Sequence, residues 1–264
     1  MAAEKQIRLD KFISEAAGLT RKDAKAVITK GRVSVGGEVC KNGERKVLVT
    51  EEICLDGVKL GAAEEFLYLM LHKPSGVVSA TEDGRDRTVL DLVREREADE
   101  TLSKEDLRYF VIGKRELFPV GRLDKDTEGL LLLTDDGELA HRLLSPKHHV
   151  DKVYAAKVSG TVPQDAAERF AEGIQVGKDY KALPAKLEVV SADTQAECAE
   201  VKITLHEGKF HQVKRMCHEI GCEVTYLKRL SMGALVLDEA LQPGEVRRLT
   251  EEEREQLCGE VKRQ

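Results

Sequence analysis

Tryptophan is absent from this chain, and aromatic residues make up only 4% of its 264 residues. A sequence so short of large rings must fill its interior with aliphatic side chains. Hydrophobic residues at 41% supply enough of them for a globular core. No stretch approaches the roughly 18 consecutive apolar residues that span a bilayer, which excludes a transmembrane-helix protein. The opening MAAEKQIRLD has no apolar segment of the secretory kind, so the expected location is the cytoplasm. The six cysteines (Cys40, Cys54, Cys198, Cys217, Cys222 and Cys258) form no CxxC pair and are expected to be reduced and mostly buried. His206, His211, Cys217, His218 and Cys222 lie close together, but their spacing matches no zinc pattern, and no metal site is expected. GxGxxG, Walker A and HExxH are also missing, which agrees with chemistry that needs no cofactor.

Charge is present in both signs and unevenly spread. The net charge is −6, which taken alone argues against a nucleic-acid partner. Residues 1–46, however, hold eleven Lys/Arg against six Asp/Glu, a net of +5, and so leave −11 on the rest. A basic segment on an acidic body points to a small RNA-binding module joined to a larger domain.

The pattern of that segment fits two short helices and a hairpin. Leu9, Phe12, Ile13, Ala16 and Ala17 make one helical face that Gly18 can end. Thr20 with Asp23 forms a capping box for a second helix, whose Ala24, Val27 and Ile28 face inward up to Gly31. RVSV-GG-EVC reads as a hairpin turning at Gly36-Gly37. Residues 47–65 alternate weakly and loosen around Gly61, placing a domain boundary there. From Phe66, FLYLML is a buried strand, KPSG a turn and RTVLDLV a short helix. Residues 94–115 read as a charged surface insertion with a short helix from Ser103. Thr134 or Asp135 can cap a helix running through Leu144 and ended by Pro146. Tyr154, Ala156 and Val158 share a strand face, Pro163 to Gly173 is a helix, and strands recur at 187–190, 201–205 and 224–227. Thr250 with Glu253 caps a last helix. Strands outnumber helices at hairpin intervals, so the fold class is α+β with a mixed, mainly antiparallel sheet and flanking helices.

The densest chemistry lies in FPVGRLDKDTEGLLLLTDDGELAHRLLSP, residues 118–146. A charged turn here meets a wall of four leucines, Leu130 to Leu133. Asp124 stands between Arg122 and Lys125, where cations keep a carboxylate ionised at neutral pH. An ionised acid on a rigid strand end is a candidate nucleophile, although many turn aspartates only bond their own backbone. Further on, residues 207–222 read as one helix with a buried stripe of Phe210, Val213, Cys217 and Ile220 and a cationic stripe of His211, Lys214, Arg215 and His218.

GRLD-x-DT-x-GLLLLT-x-DG resembles the central motif of the pseudouridine synthases that modify ribosomal RNA, specifically the small-subunit type. DKVYAAKVSG and GKFHQVKRM resemble the second and third motifs of the same family. RLDKFI…GLTRKDAK…GRVSVGG resembles the S4 RNA-binding domain. The resemblance implies an S4 module over residues 1–60, a synthase domain over 66–250 and a C-terminal helix or tail over 251–264. It implies isomerisation of one uridine to pseudouridine without cofactor or metal. Asp124 would be the catalytic residue, Tyr154 would stack on the flipped base, Lys214 would pair with the acid, and Arg122 would help fill the gap left in the RNA; Arg215, beside Lys214, is a further substrate-binding candidate. Many relatives carry Arg where Lys214 stands, and Lys pairs as a point charge without the bidentate fork. Arg8, Lys11, Arg21, Lys22, Lys25 and Lys30 would meet RNA phosphates. The implied partner is 16S rRNA or a small-subunit assembly intermediate, acted on by a monomer away from membranes. A 23S rRNA target, a non-catalytic S4-type assembly protein, and a glycosidase pairing Asp124 with Asp126 or Asp135 are the alternatives.

Overall fold

A computed structural model describes residues 6–17, 19–48, 51–60, 66–95, 117–145, 148–178, 180–193 and 195–263. The chain divides into two compact units, Met1–Phe66 and Leu67–Gln264.

In the first unit, strand β1 (Gln6–Arg8) runs into helix α1 (Leu9–Ala16), followed by α2 (Arg21–Thr29). Leu9, Phe12, Ile13, Ala24 and Ile28 are fully buried where the two helices meet. The Thr20 hydroxyl accepts from the Asp23 amide at 3.2 Å and fixes the start of α2. The hairpin forms between β2 (Val33–Val35) and β3 (Glu38–Val39), with Gly36 at φ 60° and Gly37 at φ 84°. The weakly alternating stretch adds β4 (Lys46–Leu48), which pairs with β1. It also adds β5 (Ile53–Leu55) and β6 (Val58–Leu60), which extend the hairpin to four strands in the order β3-β2-β5-β6. Gly18, Gly61, Ser103 and Pro146 lie outside the described residues, as do residues 96–116 of the charged insertion.

The second unit is a mixed sheet. Its strands are β7 (Tyr68–Lys73), β8 (Phe118–Pro119), β9 (Glu128–Thr134), β10 (Lys152–Ser159), the small hairpin β11 (Gln175–Val176) and β12 (Tyr180–Lys181), β13 (Lys186–Asp193), β14 (Cys198–Leu205), β15 (Glu223–Met232), β16 (Leu235–Val236) and β17 (Val246–Arg248). The order is β13-β14-β10-β15-β9-β7-β17, with β16 on β15, β8 on β9, and β11-β12 separate. Every neighbouring pair is antiparallel except β15 and β9, which meet in parallel at Lys228↔Glu128 and Arg229↔Gly129.

The four leucines of β9 are fully buried and alternate between the two faces. Leu131 and Leu133 join the core under α3 (Val89–Glu95), α5 (Ala166–Glu172) and α6 (Gln212–Glu219). Leu130 and Leu132 join the core under α4 (Gly137–Leu144) and α7 (Glu251–Arg263). A continuous leucine run therefore marks a strand covered on both sides, at about 1.5–3 kcal/mol of burial per side chain.

Three local expectations shift. The cap of α4 is Asp136, whose carboxylate accepts from the Glu138 and Leu139 amides at 3.1 and 3.0 Å. Thr134 is still in β9, and the Asp135 carboxylate is taken by the Leu67 amide. The helix expected from Pro163 starts only at Ala166. The helix expected over 207–222 is confined to Gln212–Glu219, because His211 before it sits in the left-handed region at φ 50°. At the C-terminal helix, Thr250 and Glu253 form the reciprocal capping box, at 2.8 and 3.2 Å. The cysteines are unpaired: three are buried, two half-buried, and Cys198 is exposed.

The parallel seam demands glycine. At Gly129, φ is 104°, and a Cβ would lie 2.2 Å from the Arg229 carbonyl oxygen. Gly129→Ala is expected to cost about 3 kcal/mol and lower the melting temperature by roughly 10 °C. Gly84→Ala, with open space around it, should melt like the wild type. Equal melting temperatures for all three proteins would show that the seam is looser than this.

Candidate active site

The turn that carries Asp124 is held from beneath by the segment Lys73–Ser79. The Lys73 side chain is fully buried, and its ammonium donates to the carbonyl oxygens of Thr127, Pro74 and Lys125 at 2.8, 3.0 and 3.3 Å. Burial pushes this ammonium down to about 8, against the pull of Asp126, Asp124 and Glu128. The Gly76 amide donates to Lys125 O at 2.8 Å. The Ser79 hydroxyl donates to Leu123 O and accepts from Leu123 N, at 2.9 and 3.0 Å. The Thr127 amide closes the turn on Asp124 O at 3.0 Å. Backbone so thoroughly bonded leaves the Asp124 side chain as the free end of a rigid support.

That side chain opens into a cleft of about 420 Å3, counting its open mouth, lined by Arg122, Leu123, Asp124, Thr127, Tyr154, Leu205, Gln212 and Lys214 among others. Tyr154 reaches the cleft from β10 and is 8% exposed. Its hydroxyl bonds no described residue, whereas Tyr68 donates to Asp136 and Tyr226 to Glu128. A buried phenol in a structural core finds a partner; this one is left for whatever enters.

Helix α6 forms the opposite wall. Val213, Met216 and Cys217 are its buried face. Lys214 turns the other way, and its Nζ lies 3.4 Å from Asp124 and 2.6 and 2.8 Å from the two oxygens of Asp126. The cation expected to pair with Asp124 is thus shared, and Asp126 holds it more closely. Asp126 is 69% exposed and Asp124 27%, and the ammonium keeps the Asp126 carboxyl below the usual carboxylate range. The second neighbour of Asp124 is His211, with Nε2 at 3.6 Å. Lys125, expected to flank Asp124, is instead paired with Asp86 at 2.6 Å.

The loop before α6 is braced by buried Gln212, which donates to buried Glu207 at 2.6 Å and accepts from the Lys209 amide at 2.9 Å. Phe210, expected in the buried stripe, is 75% exposed and stacks on His211 with centroids 3.8 Å apart. The left-handed turn at His211 puts Phe210 off the helix and so breaks the stripe. Arg215 does not line the cleft; its guanidinium lies 5.5 Å from the Tyr180 ring.

The family model for RNA pseudouridylate synthases matches residues 67–219, and the S4 domain model matches residues 7–53. The chain belongs to the RNA pseudouridylate synthase family. It is 45% identical over 248 residues to an uncharacterised RNA pseudouridine synthase of Bacillus subtilis (strain 168), covering 94% of this chain and 96% of that one. It is 43% identical over 250 residues to ribosomal small subunit pseudouridine synthase A of Vibrio vulnificus, covering 94% and 97%. A solved structure described as a pseudouridylate synthase superposes with a TM-score of 0.61 at 38% identity, covering 95% of this chain and 99% of that one.

The synthase thus brings Asp124, Tyr154, Lys214 and Arg122 to one cleft. Arg122 is exposed and makes no ion pair or hydrogen bond among the described residues. In the S4 unit, Arg8 is bound to buried Asp10 through two bonds of 2.8 and 3.1 Å and also to Glu44. Lys25 lies 3.8 Å from Asp10, and Lys11 pairs with Glu15. Arg21, Lys22 and Lys30 are exposed and form no ion pair among the described residues. Sequence reading missed Lys73 and His211 as neighbours of Asp124, and set Asp126 beside it only in the glycosidase alternative. The GRLD-x-D spacing and the His before Gln212 were the available signals.

Replacing Lys214 by Met leaves Asp126 facing Asp124 without the shared cation. The Asp126 titration should then rise to or above the ordinary carboxylate value, while Lys214→Arg keeps it low. Carboxyl 13C NMR reads both, and a low midpoint in the Met variant would rule out the shared pair.

Proposed function

We propose that this synthase isomerises a uridine of small-subunit 16S rRNA to pseudouridine, using Asp124 as the catalytic carboxylate on a base flipped out of the RNA. The observation that carries this reading is the meeting of Asp124, Tyr154 and Lys214 from three separate elements around one cleft. Support for the small-subunit target comes from the names of close relatives.

The reaction breaks the N1–C1′ bond, turns the uracil, and joins C5 to C1′. One carboxylate acts at the departing glycosidic bond, as nucleophile or as base. Lys214 and His211 stand 3.4 and 3.6 Å from that carboxylate within a half-buried site. A base pulled from its helix loses its stacking, and the Tyr154 ring gives part of it back. Arg122, unpaired among the described residues, fills the place the uridine left or binds a nearby phosphate. Arg21, Lys22 and Lys30 on the S4 unit are free to meet phosphates, whereas Arg8 is already committed to Asp10.

Asp124→Asn, nearly the same in shape, is expected to abolish tritium release from RNA made with [5-3H]uridine while RNA binding stays within about a factor of 3. Release at near wild-type rate by the Asn variant would remove Asp124 from the chemistry. Replacing Arg21, Lys22 and Lys30 together by Gln should lower the slope of log affinity against log salt by about 2–3. An unchanged slope would mean that these three cations do not meet RNA.

A further inference from the structure

Phe210 is 75% exposed, more than any other large hydrophobic side chain given as exposed among the described residues. In a chain with six phenylalanines and no tryptophan, a ring left in water calls for a reason. The ring is held in place. It stacks on His211 at 3.8 Å and 17°, and His211 sits at φ 50° with its Nε2 3.6 Å from Asp124. The loop beneath is tied to buried Glu207 and Gln212. Phe210 therefore stands one imidazole away from the carboxylate, at the edge of the cleft.

We propose that Phe210 stacks on an unpaired nucleobase of the RNA, the neighbour of the uridine that enters the cleft. The proposal rests on the reading of that cleft as a uridine site. Drawing one nucleotide inward strips its neighbour of a stacking partner, and a flat ring at this distance replaces it. The surroundings favour a nucleotide over an apolar protein surface. Lys209, with its ammonium 3.7 Å from the Tyr180 ring, lies on one side, and half-exposed His211 on the other. A cation beside an exposed ring suits a base whose phosphates pass close by. The contact is sequence-tolerant, since every base has a π-face, so Phe210 adds affinity and places the strand without selecting its letters.

The test uses the full chain with unmodified 16S rRNA transcribed in vitro, measuring affinity across a salt series together with tritium release. Phe210→Ala and Phe210→Leu should each weaken binding about 10-fold, Phe210→Trp should bind close to wild type, and all four proteins should share one salt slope. An exposed ring contributes little to the core, so melting temperatures should match. Wild-type affinity in the Leu variant overturns the proposal. So does a shallower salt slope, which would assign the loss to displaced cations. If the wild type releases no tritium while binding still follows the ring at position 210, the isomerisation reading fails and the stacking contact stands.

Discussion

The arrangement of the site depends on an ammonium that never reaches water. Lys73 is fully buried at the end of β7 and holds three carbonyl oxygens of the segments around the Asp124 turn. Burying it is costly, as its fall to about 8 records. The bonds it makes recover part of that cost and join β7 to the loop that enters β9. A turn whose amides and carbonyls are already bonded has few other conformations to adopt. The acid it presents is therefore preorganised, which is what charge development in a reaction requires.

The sheet supplies the remaining constraint. β9 is buried on both faces by alternating leucines, and it meets β15 in the sheet's parallel seam at Gly129. β10 lies on the other side of β15 and brings Tyr154 toward the cleft. The same seam positions the Asp124 turn at the near end of β9. Lys214 comes from α6, which packs over one face and is reached through a braced, left-handed turn. Asp124, Asp126, Lys214 and His211 then form a group in which two acids share one ammonium and one imidazole. Asp126, the more exposed acid, holds the ammonium most closely. The cation is thereby kept beside Asp124 without being consumed by it.

Local signals in the sequence carried much of this. The capping box at Thr250–Glu253 formed as read, and at Thr20–Asp23 the Thr20 hydroxyl caps the helix while donating to the Asp23 carboxylate. The glycine pair of the first hairpin took its positive φ angles, and Tyr154, Ala156 and Val158 share a buried face. Errors arose where one residue had two possible bonds. Asp135 looked like a helix cap, but the Leu67 amide, 68 residues away, claims it. Phe210 fitted a helical stripe, but the helix begins after it, because His211 takes a left-handed turn that spacing cannot announce. Lys73 and His211 were invisible beside Asp124 for a different reason. Their meeting is a property of the sheet order, not of any local window. The family motifs marked Asp124, Tyr154 and Lys214 as chemical residues, and the fold adds which side chains stand beside them.

The division of labour proposed for the RNA follows from the same charges. The cleft of the acidic body brings Arg122 and Lys214 beside Asp124, and the basic N-terminal unit offers Arg21, Lys22 and Lys30, which form no ion pair among the described residues. The central claim is that this cleft rearranges one uridine of the small-subunit rRNA. It is tested most directly by incubating the purified protein with 16S and 23S rRNA lacking pseudouridine, then mapping carbodiimide adducts by primer extension. The account predicts a single new stop in 16S rRNA and none in 23S rRNA. No stop in 16S rRNA, free or within a small-subunit assembly intermediate, would contradict it.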